Sequence, residues 1–291
     1  MDKPFHVIIP TLTFDVFYNK FFKGIKAFEP LKEYLSFGIV FQKYTKEQIQ
    51  IILDEFNKYN LDVRYIHKEY NFEYGKTEMH VIRNDACQLN NQCLYYWVCD
   101  DDQWYDTGNF FTKEALSAMN YLLENDKCGI LTLVHDWDKN KKIDEKICIQ
   151  FASSLSAETY LGTFVKNTNE NGLFVPEEYL HLFSGFNDLF FTYIKCRDLE
   201  YYRAQMKCSS GHHVEAKPRS EISFETHGWK ETAWDEGSNM YMLDYFWKHG
   251  YEQYSHPDIS FPFDINEFYY IEGNLIQLEE RLQNNLKVKY I

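Results

Sequence analysis

The chain has 291 residues, a formal net charge of −14 at pH 7 and 45% apolar residues. This length suits one large α/β domain or two closely packed lobes, and the apolar content excludes an intrinsically disordered chain. The acidic balance argues against broad, unspecific binding of nucleic acid, although it leaves room for a local basic patch.

Four short apolar runs near the start of the chain predict β-strands. They cover residues 7–9, 37–41, 63–67 and 94–99. A helix is predicted between the second and third runs, because apolar residues recur there with a period of 3.6: Ile49, Ile52, Leu53 and Phe56. Thr45, with Gln48 three residues later, has the pattern of a capping box at its start. This alternation predicts an α/β fold with a mainly parallel sheet and helices on both faces.

The second half of the chain is less regular. Thr112 is placed to cap a further helix. The apolar residues on one face of that helix are Leu116, Met119 and Leu123. Residues 130–134 and 147–151 have the composition of strands, and the charged, turn-like stretch between them predicts a hairpin.

The cysteines and the apolar runs bear on location. No signal-peptide pattern is present, and no apolar run approaches the roughly 20 residues that span a bilayer. The chain has 7 cysteines, which are scattered and form no C-x-x-C pair. We therefore expect a cytoplasmic protein without a membrane span, whose reduced thiols are packed in the interior.

The fourth predicted strand runs directly into Asp100, Asp101 and Asp102. In open α/β sheets, ligands bind outside the carboxyl ends of the strands. Adjacent carboxylates repel one another, and Mg²⁺ or Mn²⁺, which prefer oxygen ligands, would relieve that repulsion. On an extended segment Asp100 and Asp102 point the same way and can share one cation. The pattern indicates a metal site for a diphosphate, and its alternative is a solvated acidic loop.

Several motifs occur in a definite order along residues 6–250. They are the strand 6–11 that ends in Pro-Thr, Gly75 with Arg83-Asn84, the strand and aspartates 94–102, the turn 185–188, the acidic motif 197–203, His227, and the aromatic-Lys-x-Gly segment 246–250. This ordered set resembles the glycosyltransferases of the GT-A fold, specifically the inverting family 2 type.

The resemblance implies a GT-A fold, which is a Rossmann-like, mainly parallel sheet flanked by helices, with a C-terminal acceptor-binding lobe. Residues 1–110 would form the half that binds the nucleotide sugar. Residues 111–291 would form the acceptor-binding half, and the two halves would pack as one GT-A unit.

The resemblance also implies a role for each matching residue. Asp102 would be the principal metal ligand, with Asp100 beside it, and His227 would complete the metal shell or contact the diphosphate. The residues expected to bind the nucleotide sugar are Pro10, Thr11, Arg83, Asp100, Asp101 and Arg203. Asp198 would be the general base that takes the proton of the acceptor hydroxyl, with Glu200 as its rival. Arg203 has the alternative of pairing with Glu200 on a helix.

Two positions depart from the family pattern. The family has an acidic pair after the second strand that helps to bind the nucleotide, whereas this chain has Gln42-Lys43-Tyr44. The usual glutamate before the catalytic aspartate is Arg197 here. Because the acidic pair after the second strand is missing, recognition of the nucleobase or ribose must differ from the family pattern.

The resemblance implies a metal-dependent, inverting glycosyltransferase that moves a sugar from a nucleoside-diphosphate sugar, UDP-linked in most of the family, to a hydroxyl of a glycan or glycoconjugate. Residues 201–220 form a predicted mobile loop in which basic and aromatic side chains alternate, including His212 and His213. This loop leaves open a phage-type enzyme that acts on hydroxymethylated bases of DNA. A nucleotidyltransferase that makes nucleotide sugars and a non-catalytic carbohydrate-binding protein are further alternatives.

Overall fold

The computed structural model describes residues 3–70, 79–101, 103–105, 109–135, 162–168, 201–208, 211–213 and 268–271. The strands are β1 Phe5–Thr11, β2 Leu35–Phe41, β3 Asp62–His67, β4 Tyr95–Val98, β5 Gln103–Tyr105, β6 Cys128–His135, β7 Thr163–Lys166, β8 Tyr202–Cys208, β9 Gly211–His213 and β10 Phe268–Ile271. The helices are α1 Phe14–Asn19, α2 Lys46–Lys58, α3 Met79–Gln88 and α4 Asn109–Glu124, and a 3₁₀ segment covers Phe21–Leu31.

The described strands form one large sheet in the order β10-β8-β6-β7-β4-β1-β2-β3, and a small sheet in which β5 pairs with β9. Strands β1 to β4 are mutually parallel, as are β6 and β8. Strand β7 runs antiparallel between β4 and β6, and β10 is antiparallel to β8. The predicted α/β fold with a mainly parallel sheet and flanking helices is confirmed.

The four strands predicted near the start of the chain are confirmed, and each boundary lies within two residues of its predicted place. Every residue of β1, β2 and β4 is buried, whereas β3 is partly exposed. Because inner parallel strands are covered on both faces, they are continuous apolar runs that the sequence reveals clearly.

The capping box of α2 is also confirmed. The Gln48 backbone N–H donates to Thr45 Oγ1 at 3.2 Å, and the Thr45 backbone N–H donates to Gln48 Oε1 at 2.9 Å. The side chains of Ile49, Ile52 and Phe56 are buried on the sheet, as their spacing predicts.

Helix α4 differs from the prediction in where it begins and in one residue of its buried face. It begins at Asn109, so Thr112 lies inside the helix and is not its cap. The Thr112 hydroxyl donates instead to the Ala27 carbonyl of the 3₁₀ segment at 2.9 Å. Leu123, predicted on the apolar face, is 41% exposed, whereas Leu122 is buried. Packing against the 3₁₀ segment selects the buried face of this helix.

Strand β6 lies between β7 and β8, and residues 147–151, its predicted hairpin partner, lie outside the described residues. Two predictions about the segment around Arg203 are wrong. Residues 202–208, predicted as part of a mobile loop, form β8 inside the large sheet. The helical pairing of Arg203 with Glu200 is excluded, because Arg203 lies in a strand.

Phe28 is the centre of the aromatic core on one face of the sheet. Its ring centroid lies 5.5 Å from Phe37, 5.7 Å from Trp97, 5.2 Å from Tyr105 and 5.6 Å from Phe111. These partners belong to β2, β4, β5 and α4, so one ring joins four elements. The short strand that follows the aspartates is thereby fixed to the core.

A buried polar cluster joins α3 to the other face of the sheet. His6 Nε2 lies 3.1 Å from the Ala86 carbonyl, and Nδ1 lies 2.8 Å from Ser36 Oγ, which also accepts from Asn90 Nδ2 at 2.9 Å. Because a carbonyl only accepts, Nε2 carries the proton and Nδ1 accepts from Ser36. Gly38 makes room for this imidazole, since a Cβ there would lie 2.3 Å from His6 Nε2.

The thiols of Cys87, Cys93, Cys99 and Cys128 are buried. Within the described parts of the chain, no helix has the length and apolar character needed to cross a membrane.

We predict a stability loss at mildly acidic pH that depends on His6. Burial lowers the pKa of His6 to about 4, and the positive charge of Arg64 acts in the same direction. As the pH falls, His6 is therefore protonated in the unfolded chain before it is protonated in the folded one. The contribution of neutral His6 to the free energy of unfolding is complete above pH 6.5 and is lost as the pH falls to about 4. The loss amounts to about 3 kcal/mol. Urea unfolding of wild type and His6→Gln between pH 4 and 7 measures it. Carboxylates titrate equally in both proteins, so parallel pH profiles would contradict the prediction.

Candidate active site

The strand order of the sheet reverses at β1. From β1 the chain passes outward through β2 and β3, and then returns to pair β4 with the other side of β1. A crevice opens outside the carboxyl ends of the strands at such a reversal, and ligands of open α/β sheets bind there. Thr11 ends β1, and Asp100 and Asp101 follow β4 after Cys99. The structure thus brings together residues from two predicted motifs.

Thr11 connects the ends of β1 and β4. Its hydroxyl donates to Asp101 Oδ2 at 2.8 Å, and the Tyr44 hydroxyl lies 2.6 Å from the same Thr11 oxygen. Thr11 is 1% exposed, and the adjoining Pro10 is also buried. In the first predicted nucleotide-binding motif, the Thr11 side chain is therefore hydrogen-bonded to the acidic turn.

Tyr44 was not identified by the sequence analysis. Its ring lies 6.2 Å from Phe14 and 5.0 Å from Phe41, and the side chain is buried. Burial raises the pKa of its hydroxyl, and the charge of Asp101 adds to this effect, so the phenol stays protonated and can donate. The signal in the sequence was slight: a tyrosine three residues beyond the second strand.

Arg83 on α3 provides a positive charge beside the aspartates. Its side chain is fully buried, and its guanidinium lies 3.6 Å from Asp100 Oδ1. The His6 cluster fixes α3 at Ala86, one turn from Arg83, and so positions the guanidinium. Part of the repulsion expected among the three carboxylates is therefore relieved by the protein itself.

The oxygen donors of Asp100 and Asp101 fit a hard divalent cation. In the part of the chain that the structure describes, no group of three or more His, Cys, Asp or Glu residues could hold a metal ion. The two other predicted metal ligands, Asp102 and His227, lie outside the described residues. The metal site as a whole stays a prediction.

The small sheet brings the second half of the chain to this crevice. Strand β5 begins at Gln103, directly after the acidic turn, and pairs antiparallel with β9. In this register His213 lies opposite Gln103, and His212 lies opposite Trp104. Residues predicted to face the acceptor thus have their backbone next to the aspartates.

Arg203 lies elsewhere. In the sheet register, Arg203 pairs with Ile130 of β6, and Ile130 pairs with Val165 of β7. Val165 in turn pairs with Tyr96 of β4. Strand β8 is three strands from β4, about 14 Å at the usual spacing, and Tyr96 precedes Asp100 by about 13 Å along the strand. The structure therefore does not bring Arg203 together with the aspartates.

The two candidate bases, Asp198 and Glu200, lie outside the described residues. The neighbouring Tyr201 is described, and its ring lies 5.2 Å from Lys166 Nζ. Lys166 pairs with Tyr95, the first residue of β4, so Tyr201 is at the amino edge of the sheet, opposite the crevice.

No protein-family model matches the chain, and no curated protein matches its sequence. Solved structures resemble its fold. Residues 1–349 of TarS from S. aureus give a TM-score of 0.51 at 14% identity, over 84% of this chain and 72% of that chain. A mannosyltransferase, PcManGT from Pyrobaculum calidifontis in complex with GDP-Man and Mn²⁺, gives 0.52 at 12% identity, over 88% and 67%. Both are glycosyltransferases, and the likeness confirms the predicted GT-A fold.

We predict that Arg83 and Asp100 are energetically coupled. Arg83→Met leaves the Asp100 carboxylate without its buried cation and should cost about 3 kcal/mol of unfolding free energy. The double variant Arg83→Met with Asp100→Asn should lose less than the sum of the two single variants, because the second change removes the charge that the guanidinium balances. Denaturant unfolding of the four proteins measures the coupling, and additive losses would exclude it.

Proposed function

We propose that the chain is a metal-dependent, inverting glycosyltransferase. Its donor would be a nucleoside-diphosphate sugar, UDP-linked, and its acceptor a hydroxyl of a glycan or glycoconjugate. The observation that supports this proposal most directly is the meeting of Thr11, Asp100 and Asp101 at the strand-order reversal of a GT-A fold. One solved neighbour, PcManGT, is in complex with GDP-Man and Mn²⁺. A structure of TarS in complex with UDP resembles this chain with a TM-score of 0.50.

The nucleotide would lie across the carboxyl ends of β1 and β4, along Pro10 and Thr11. Asp102 would be the principal metal ligand, aided by Asp100 and by His227. A cation held there would offset the charge that develops on the departing diphosphate. Because Arg83 holds Asp100 in place, this carboxylate would bind without first being ordered.

The acceptor hydroxyl would attack the anomeric carbon in line with the bond to the diphosphate, and inversion would follow. A base must take the hydroxyl proton during this attack. We assign that role to Asp198, with Glu200 as its rival, because residues 197–203 resemble the acidic motif of the family. Arg203 is not retained as a contact of the diphosphate, since its backbone lies far from Asp100.

The alternatives have less support. The basic run that suggested a DNA acceptor does not form one loop, since Arg203 and Lys207 lie at opposite ends of β8 in the large sheet. A nucleotidyltransferase would carry a glycine-rich, basic loop after β1, whereas this chain has Leu12 and Thr13 before α1 begins at Phe14. A non-catalytic carbohydrate-binding protein would need no cation at the aspartates.

The proposal is tested by the thermal shift that nucleoside diphosphates cause with and without Mn²⁺. We expect one diphosphate, UDP, to stabilise the wild type when Mn²⁺ is present, by about 2.7 kcal/mol at 100 times its Kd. Asp102→Ala should lose this response because it lacks the principal ligand. Asp54→Ala, on the exposed face of α2, is the matched control and should keep it. If no diphosphate stabilises the wild type under either condition, the enzyme proposal is wrong.

A further inference from the structure

Tyr44, Thr11 and Asp101 form a directed chain of hydrogen bonds. A carboxylate accepts, so the Thr11 hydroxyl uses its single proton on Asp101 Oδ2, at 2.8 Å. The Tyr44 hydroxyl, 2.6 Å from Thr11 Oγ1, must then donate to it. The chain runs from the phenol through the threonine to the acidic turn, and each bond polarises the next.

The orientation of the Thr11 side chain depends on Tyr44. The Thr11 carbonyl accepts from the Gln42 backbone N–H at 3.0 Å, which fixes the main chain as part of the β1–β2 ladder. The Thr11 rotamer then depends on its hydroxyl partners. Tyr44 is itself held by ring contacts with Phe14 and Phe41 and is only 5% exposed, so its hydroxyl has little freedom to move.

Packing alone does not account for the hydroxyl. A phenylalanine ring would make the same contacts with Phe14 and Phe41, and burying a hydroxyl costs free energy unless it is hydrogen-bonded. Here the bond goes to the side chain that reaches Asp101 and not to a carbonyl of the core. The Tyr44 hydroxyl therefore acts on the side chains that line the crevice and not on the packing of the core.

We propose that Tyr44 is a positioning residue for the cation–diphosphate site. Acting through Thr11, it holds the Asp101 carboxylate in one orientation before any ligand arrives, and so fixes the turn that carries the proposed metal ligands Asp100 and Asp102 on either side of Asp101. This inference rests on the proposed function, and it assigns to a residue outside the three aspartates part of their affinity for a divalent cation.

The test compares Tyr44→Phe with Tyr65→Phe. Tyr65 also contacts Phe41, at 5.7 Å between ring centroids, but it is 45% exposed on β3, so this control makes the same chemical change away from the crevice. Mn²⁺ affinity is measured without nucleotide from the electron paramagnetic resonance of the free ion. UDP affinity is measured by calorimetry with and without Mn²⁺, and melting temperature reports the fold of each variant.

For Tyr44→Phe we expect about a 10-fold loss of Mn²⁺ affinity and of Mn²⁺-dependent UDP affinity, with metal-free UDP binding unchanged. Tyr65→Phe should match the wild type in all three. Thr11→Val should show the larger loss, and adding Tyr44→Phe to it should cost nothing more, because the chain is already broken.

Unchanged Mn²⁺ affinity in Tyr44→Phe overturns the inference and leaves the proposed function standing if wild type binds UDP with Mn²⁺. Equal weakening of UDP binding with and without metal also overturns it, since that result indicates general damage to the crevice. If wild type binds Mn²⁺ but no diphosphate, the proposed function fails, whereas the Mn²⁺ titration still decides the role of Tyr44. A wild type that binds neither overturns both.

Discussion

The position of β1 between β2 and β4 is the constraint on which the rest of this molecule depends. Every residue of β1 is buried, and both of its edges are used in parallel ladders. Because the chain leaves β1 on one side and returns on the other, the ends of β1 and β4 border the same crevice. Thr11 and Asp101, ninety residues apart, can therefore share a hydrogen bond.

The crevice is stabilised from both faces of the sheet. On one face, the His6 cluster fixes α3 and with it Arg83, whose charge lies beside Asp100. On the other face, the aromatic core around Phe28 holds β5, which continues from the acidic turn and pairs with β9. An ion pair thus acts on Asp100, and aromatic packing acts on the strand that follows the same turn. Through β9, the second half of the chain is joined to that strand.

Much of the first 110 residues could be predicted from the sequence, because their signals are local. Inner parallel strands are continuous apolar runs, and the capping box of α2 involves only Thr45 and Gln48. The aspartates were found for the same reason, since they directly follow the strand that carries them. Each of these features is determined by residues within one turn or strand of one another.

The remaining features required partners distant in sequence, and only the tertiary structure decided them. Thr112 has the character of a cap, but the Ala27 carbonyl takes its hydroxyl and α4 begins earlier. Residues 202–208 look like a basic loop, yet they form β8, because they pair in parallel with the side of β6 that β7 does not cover. Tyr44 and Arg83 gain their places beside the aspartates from helices and strands that pack across the whole sheet. A residue's own sequence neighbours carry no information about such contacts, since hydrogen bonds and ion pairs act through space.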